Sequence, residues 1–204
     1  MSIQHRSQWT PRQMEILACT MDLVRGGGLG ALTTRRIAEK VGFTEAALYR
    51  HFPSKQALIL GMMDRLDEML LGPIEDIALD ESASVVQRIE RIVRHHTDII
   101  RRHKSLPILL LAEASVSEDE ELLARMRLIF KRYLTVMEDL VRRGQAESGI
   151  VSGPEPDCLA LLLLGAPAAL AIRHRLLPDF EAEDRFAETL IPFLVSVIRV
   201  DEGN

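Results

Sequence analysis

The residues of this chain best equipped for chemistry lie at positions 33 to 55, which read TTRRIAEKVGFTEAALYRHFPSK. Arg35, Arg36 and Lys55 carry the positive charge that neutralises phosphate groups. Basic residues taken one at a time are more often ordinary solvated charges, so their meaning depends on the elements that hold them. To bind phosphate groups together, the three basic side chains would have to lie on one surface of those elements.

The first of these elements is a short helix. Thr33 can cap its free backbone N–H groups, and Ile37, Ala38 and Val41 follow at the spacing of one apolar helix face. Gly42 stands where a residue with positive φ ends a helix.

A second short helix follows, capped by Thr44 and running from Glu45 to about Phe52, where Pro53 stops it. Ala47 and Leu48 can face inward. The outward face then consists of Glu45, Ala46, Tyr49 and Arg50. Two helices this short, joined at a glycine, predict a helix-turn-helix whose second helix fits the DNA major groove.

Base recognition is expected from the outward face of the second helix, which begins at Thr44. Glu45 can accept a hydrogen bond from cytosine N4, and Ala46 can contact a thymine methyl group. Arg50 can donate two hydrogen bonds to guanine or hold a phosphate. The sequence leaves open which of these contacts operate, and Phe52 is expected in the core.

The strings LTTRRIAEKVG and LYRHFPSK resemble the DNA-binding motif of the TetR family of bacterial regulators, and the resemblance covers roughly residues 10–60. It implies that Tyr49, His51 and Lys55 hold the DNA backbone, which fixes register without reading sequence. Motif and resemblance together predict these DNA-binding residues: Thr33, Thr34, Arg35, Thr44, Glu45, Ala46, Tyr49, Arg50, His51 and Lys55.

Composition favours an all-α fold, because the 204 residues are 47% hydrophobic and rich in Leu, Ala, Ile, Glu and Arg. The net charge of −5 is divided unevenly. Residues 1–60 hold eight Lys or Arg and four Asp or Glu, whereas residues 61–204 hold seventeen and twenty-six. The basic excess therefore coincides with the helix-turn-helix.

About nine helices are expected, in a DNA-binding domain at residues 10–56 and a ligand-binding and dimerisation domain at 57–204. Thr10, with Pro11 and Gln13, begins a helix that braces the motif. A fourth helix runs from Ser54 to about residue 71, where Gly72-Pro73 stops it, and connects the two domains.

Beyond the fourth helix, the spacing predicts helices over residues 85–104 and 106–116. Ser117 begins a capping box for a helix that runs to about Glu147. The segment 158–177 is apolar nearly all round and is expected to be buried on most sides. The last helix, 184–200, is expected to kink at Pro192.

A homodimer is expected, because one recognition helix contacts too few base pairs, whereas two can read an inverted repeat in double-stranded DNA. The last two helices carry more apolar residues than a small core needs: Leu161, Leu164, Ala168, Ala169, Ile172, Phe186, Leu190, Phe193 and Val197. The alternative is that these residues only close the core of a monomer.

The resemblance also implies a small-molecule effector that tilts the fourth helix. Methionine, aromatic and histidine side chains suit a cavity for an apolar or amphipathic guest. The residues predicted to line it are Met62, Met63, Leu66, Ile99, His103, Leu110, Met126, Phe130 and Tyr133. The alternative, which is favoured for any one of them taken singly, is plain core packing.

Other chemistries find little support. The spacing of His95, His96, His103 and His174 suits no single metal ion, and no catalytic motif is present, so neither a cofactor nor an enzyme is expected. The arginine-rich stretch 88–102 is interrupted by acids and is interpreted as a solvated face rather than a second DNA surface. Without a membrane span, a secretion signal or a cysteine pattern, a cytoplasmic, nucleoid-associated protein is expected.

Two alternatives remain. The stretch EAALYRHFPSK is close to that of the nucleoid-occlusion branch of the family, which binds DNA without controlling a promoter. A helical small-molecule carrier or enzyme with a vestigial N-terminal domain would retain its activity without Tyr49 and Lys55.

Overall fold

The computed structural model describes residues 9–177 and 186–200, and in these ranges the chain forms nine α-helices without a β-strand. The helices are α1 (Pro11–Gly27), α2 (Thr34–Val41), α3 (Glu45–His51), α4 (Lys55–Ala78), α5 (Val85–His103), α6 (Leu106–Val116), α7 (Glu120–Ala146), α8 (Pro156–Leu176) and α9 (Ile191–Ile198). An isolated bridge joins Ile150 to Arg199. The all-α prediction is confirmed.

Side-chain caps fix the first four helices where the sequence predicted them. The hydroxyl of Thr10 accepts from the backbone N–H of Gln13, whose side chain accepts from the Thr10 N–H, completing a capping box. Thr33, Thr44 and Ser54 cap α2, α3 and α4 in the same manner. Each cap satisfies backbone donors that would otherwise be left open at a helix start.

The main hydrophobic core of the described residues extends from the N-terminal helices to α9. It contains Ile16 and Leu17 of α1, Leu48 of α3 and Ile198 of α9, all fully buried. The long helix α4 contributes to it along most of its length and packs against α1, α5 and α7. It therefore connects the helix-turn-helix to the remaining helices.

Ion pairs also hold α4 against α7. The guanidinium group of Arg132 lies 2.7 Å from a carboxylate oxygen of Asp67 and 2.6 Å from one of Glu75. Nearer the start of both helices, Arg125 of α7 pairs with Asp64 of α4. All of these groups are partly exposed, so solvent screening limits their contribution to stability, but they fix the register of the two helices.

The prediction that Gly72-Pro73 ends α4 is wrong, since the helix continues through Pro73 to Ala78. Proline has no N–H to donate to the carbonyl of Met69, four residues earlier. The side chain of His95, on α5, takes over that role: its Nε2 lies 3.0 Å from the Met69 carbonyl oxygen. A neighbouring helix thus supplies a donor to the carbonyl that Pro73 leaves without one.

The predicted cap at Ser117 is also wrong. Helix α6 ends at Val116, Ser117 is its C-terminal cap, and α7 begins at Glu120. The carboxylate of Asp119 accepts from the N–H groups of Glu121 and Leu122, at 3.0 and 3.4 Å. The Ser117 hydroxyl instead accepts from the Asp119 N–H, at 3.1 Å, and so supports the capping residue.

Helix α8 is not buried on most sides within one chain, contrary to prediction. Leu159, Leu163 and Leu170 are packed inside, but Leu161 is 55% exposed. Other large apolar residues exposed on this helix are Leu162, Ile172 and Leu176. By length and composition this 21-residue helix would suffice to cross a membrane, whereas one of its faces is packed against α5 and α7.

The C-terminal helix differs from its predicted bounds of 184–200. Residues 184 and 185 lie outside the described residues, as does the side chain of Phe186. A single π-helical turn, Phe186–Leu190, precedes α9, in which Pro192 occupies the first turn. The missing N–H of Pro192 thus falls where the α-helical pattern begins rather than at a kink within it. Phe193 and Val197 are 63% and 51% exposed.

Candidate nucleic-acid interface

The turn between α2 and α3 has the geometry that a helix-turn-helix requires. Gly42 adopts the left-handed conformation, with φ 75° and ψ 36°, where a side chain would be strained. The N–H of Phe43 donates to the carbonyl of Ala38 at 2.7 Å, which closes the end of α2. Fully buried Ile37 and Leu48 then hold the two helices against the core.

The residues of α3 that are buried and those that are exposed are the ones that the sequence predicted. Leu48 is fully buried, Ala47 is half-buried, and Phe52 is 2% exposed. The exposed residues on or beside α3 are those proposed for base recognition together with Tyr49: Thr44, Glu45, Ala46, Tyr49 and Arg50. An unobstructed, mostly polar helix face is what insertion into a major groove requires.

The carboxylate of Glu45 is held by the preceding helix. The hydroxyl of Thr34 donates to its Oε2 at 2.7 Å, joining the first residue of α2 to the first residue of α3. The bond leaves acceptor capacity on the carboxylate, because an ionised carboxylate has about four acceptor sites. Thr34 therefore orients the Glu45 side chain, a contact that no sequence spacing indicated.

Arg35 is not a free cation in this structure. Its Nε donates to Glu39 Oε1 at 2.9 Å, and both side chains are largely exposed. The hydrogen bond and the charge of Glu39 raise the pKa of Arg35. Thr33 likewise uses its hydroxyl to accept from the Arg36 N–H at 3.3 Å. A phosphate would have to compete with these contacts.

Three of the predicted DNA-binding side chains have no internal partner. Tyr49, Arg50 and Lys55 make no side-chain hydrogen bond or ion pair within the described ranges. Tyr49 is 46% exposed, and Lys55 is the first residue of α4. Their donors are therefore available to an external acceptor such as a phosphate oxygen.

His51 is positioned by the first helix and the turn. Its ring stacks on the ring of Phe43, with centroids 6.0 Å apart and an angle of 17° between the planes. The guanidinium carbon of Arg12 lies 3.9 Å from the centroid of the Phe43 ring. The side chain of Gln13 donates to the His51 carbonyl at 3.4 Å. Neither Arg12 nor Gln13 was predicted to support His51, because both contacts join α1 to residues about 30 or more positions away in the chain.

The residues predicted to line an effector cavity lie mostly inside the larger helical part. Seven are buried: Met62, Met63, Leu66, Ile99, Leu110, Met126 and Tyr133. His103 lines a cavity of about 190 Å³ with residues of α1 and α4, among them Met21 and Met69. Phe130 is 46% exposed and lies on the outer side of α7. The sequence did not indicate which face of this helix would be buried.

His96 also lies in this interior, although it is not among the residues predicted to line the cavity. It is 6% exposed, and its ring meets that of Tyr133 edge to face, with centroids 5.2 Å apart. Burial, with a smaller contribution from His95, lowers the pKa of His96 to about 3, and burial raises that of Tyr133. The spacing of Val93, His96 and Ile100 on one face of α5 was the available signal.

Within the described ranges, no three His, Cys, Asp or Glu side chains come together as a metal site would require. Cys19 and Cys158 are free thiols. The two adjacent histidines of α5 serve different neighbours, since His95 contacts the Met69 carbonyl and His96 contacts the Tyr133 ring.

Comparison with known proteins agrees with this geometry. A family model described as "Bacterial regulatory proteins, tetR family" matches residues 16–62. The nucleoid occlusion factor SlmA of Vibrio vulnificus is 31% identical over 160 residues, which cover 78% of this chain and 81% of that protein.

Solved structures share the whole fold. The MbdR regulator from Azoarcus sp. CIB superposes with a TM-score of 0.79 at 22% identity, covering 93% of this chain and all of that one. AibR, solved in complex with isovaleryl coenzyme A and operator DNA, gives a TM-score of 0.70 at 21% identity, covering 90% and 98%.

Proposed function

Since the chain belongs to the TetR family of bacterial regulatory proteins, we propose that this DNA-binding transcriptional regulator is a repressor that inserts α3 into the major groove of its operator. The observation that carries the proposal is the face of α3: it is exposed, its backbone is capped, and it is oriented by a buried core. The protein would occlude a promoter while it is bound, and would act in the cytoplasm, on the nucleoid.

The proposed division of labour follows from the partners of each side chain. Thr44, Glu45, Ala46 and Arg50 would contact base edges. The remaining residues would hold sugar and phosphate: Thr33, Thr34, Arg35, Tyr49, His51 and Lys55. Of these, Tyr49 and Lys55 have donors with no internal partner, so their binding to phosphate breaks no contact in the free protein.

A homodimer is part of the proposal. The exposed apolar residues of α8 and α9, among them Leu161 and Phe193, would pack against the same helices of a second copy. The two recognition helices would then meet half-sites about 34–36 Å apart, or a multiple of that distance, on an inverted repeat. We place the boundary between the DNA-binding part, 10–56, and the dimerisation part, 57–204, inside α4.

Release by an apolar or amphipathic effector completes the proposed mechanism. The structural neighbour AibR was solved with isovaleryl coenzyme A and operator DNA, so a fold of this type can carry a small molecule as well as DNA. An effector that binds more tightly to a second arrangement of α4 would shift the spacing of the two recognition helices. The buried contacts of α4 with α5 and α7 would transmit that shift.

The proposed roles can be tested by fluorescence anisotropy with duplexes from the DNA upstream of the gene. Lys55→Ala should weaken binding to all sequences alike and lower the salt slope of log K by about 1, because one phosphate contact is lost. Glu45→Gln should instead change the preference at one base pair by about 1–3 kcal/mol, because an acceptor is exchanged for an amide.

Arg127→Ala is the matched control for Lys55→Ala, since Arg127 is an exposed cation on α7, outside the N-terminal unit. It should leave the salt slope unchanged. Equal and weak binding of the wild-type protein to every duplex would contradict the proposal of an operator.

A second function is favoured by the 31% identity to the nucleoid occlusion factor. In that case the protein would bind DNA sites without controlling a promoter. Chromatin capture separates the two functions, because a repressor should occupy one or a few sites near promoters. Many sites scattered over the chromosome, with no change in transcription when the gene is deleted, would favour nucleoid occlusion.

A further inference from the structure

Among the buried polar atoms that have no hydrogen-bond partner within the described residues, two belong to rings that touch each other in the interior of the larger helical part. They are Nδ1 of His96, on α5, and the hydroxyl of Tyr133, on α7. Both side chains are almost fully buried, at 6% and 1% exposure, and their rings are in contact. A buried donor or acceptor without a partner is costly, so such a pair calls for a physical reason.

The same fold satisfies other buried polar side chains without outside help. The hydroxyl of Thr20 donates to the Ile16 carbonyl at 2.7 Å, and that of Thr97 donates to the Val93 carbonyl at 2.8 Å. Thr97 directly follows His96 on α5. Nε of Arg88, also on α5, has no partner either, but that guanidinium group donates through its Nη1 to the Ala78 carbonyl at 3.0 Å. The unpartnered atoms of His96 and Tyr133 differ in belonging to two rings that touch each other.

The surroundings of the pair are apolar. His96 and Tyr133 lie within a core whose neighbouring buried members on α5 and α7 include Ile92, Ile129 and Met137. Burial favours the uncharged form of both rings. A charged ligand group would lose its hydration here without gaining an opposite charge, whereas an uncharged oxygen would lose little and satisfy both rings.

We propose that His96 and Tyr133 are the polar end of the effector site, and that they bind the uncharged hydroxyl, carbonyl or ester oxygen of an otherwise apolar small molecule. This inference rests on the effector-controlled function proposed above and gives its ligand a chemical class. The Tyr133 hydroxyl donates to the ligand oxygen, and the His96 ring donates to or accepts from the same group according to its tautomer.

The position of the pair also gives a route by which ligand binding would move the DNA-binding helices. His95, next to His96 in the chain, holds the Met69 carbonyl that Pro73 leaves without a donor in α4. A ligand that draws His96 toward itself displaces α5 at the residue that supports α4. Differential binding to the two positions of α5 then becomes differential placement of α4.

The test is calorimetric titration of the full chain, free of DNA, with straight-chain alcohols from butanol to dodecanol and with the carboxylates of matching length at neutral pH. At least one alcohol should bind, and its carboxylate should bind at least about tenfold more weakly. Tyr133→Phe, which removes only the hydroxyl, should weaken alcohol binding about three- to tenfold, the contribution of one hydrogen bond. His96→Phe should do the same.

Met137→Leu is the control, because it alters a buried neighbour on α7 without removing a polar atom. It should leave the preference for alcohol over carboxylate intact. The melting temperature separates a ligand site from a structural bond: Tyr133→Phe should not lower it, since the hydroxyl has no partner to lose.

Three results would overturn the inference: no alcohol binds, the carboxylate binds as tightly as the alcohol, or Tyr133→Phe leaves alcohol affinity unchanged. Operator binding of the same wild-type preparation is measured separately by anisotropy. Its failure would refute the proposed repressor while leaving the titration result standing, so the two proposals fail independently.

Discussion

Among single residues, the buried His96 should make the stability of the protein depend on pH. Its pKa is about 3 in the folded chain and about 6.5 in an unfolded one. Between these values the unfolded state binds a proton that the folded state excludes. Stability should therefore fall as pH drops below about 6.5, by up to about 1.4 kcal/mol per pH unit from this group, and should not depend on it above that pH.

Urea unfolding at several pH values between about 7.5 and 5 measures this contribution. The free energy of unfolding of the wild type should fall more steeply with acid than that of His96→Gln, which cannot titrate. Taking the difference between the two proteins removes the contribution of carboxylates, which they share. Parallel curves for the two proteins would show that His96 is protonated in the fold or not buried as described.

Residue roles could be predicted from sequence where they depend on local chemistry. Thr33, Thr44 and Gly42 act within a few residues of themselves, and their caps and turn were found where the pattern indicated them. The hydrogen bond from Thr34 to Glu45 and the contact of His96 with Tyr133 join different helices. Such contacts depend on how the helices pack, which spacing along one helix cannot reveal.

At the scale of elements, α4 raises the question of how a helix tolerates an internal proline. Removing the His95 side chain should leave the Met69 carbonyl without its donor. We expect His95→Leu to lower the free energy of unfolding by about 1 kcal/mol, the low end of the cost of an unsatisfied acceptor, because this contact is only partly buried.

A double-mutant cycle isolates that cause. Pro73→Ala restores a backbone N–H in position to donate to Met69, so His95→Leu should cost less in the Pro73→Ala background, with a coupling of up to about 1 kcal/mol. Denaturant unfolding of the four proteins measures it. Equal costs in the two backgrounds would mean that His95 stabilises α4 by some other contact.

The existence and order of the helices could be read from the chain, but some of their ends could not. The proline rule predicted a stop at residue 73, and a donor from α5 overrode it. Ser117 and Asp119 are both good caps, and the choice between them was settled by the end of α6. In both cases the deciding group belongs to a different helix.

At the scale of the whole molecule, the distribution of apolar surface sets α8 and α9 apart. Each has one face in the core, through Leu163 and Leu194, and a second face in solvent, through Leu161 and Phe193. Exposed apolar surface of this kind marks a site of association. An assembly of two copies would cover it and would also supply the second recognition helix that an inverted repeat requires.

A charge placed on this face should therefore both separate the two copies and weaken operator binding. We expect Leu161→Glu to convert a dimer to a monomer in sedimentation velocity, because burying an unpaired carboxylate in the interface is costly. Operator affinity should fall roughly a hundredfold or more, since each monomer retains only one half-site contact. Helicity should be preserved, as Leu161 is 55% exposed in the single chain.

Val116→Glu provides the matched control, because Val116 is 80% exposed at the C-terminal end of α6 and is not part of the apolar face of α8 and α9. It adds the same charge and should leave both the dimer and operator binding intact. If Leu161→Glu remained dimeric, the copies would have to associate through another surface. If it became monomeric yet bound the operator as tightly as the wild type, the paired recognition helices would not be the basis of DNA recognition.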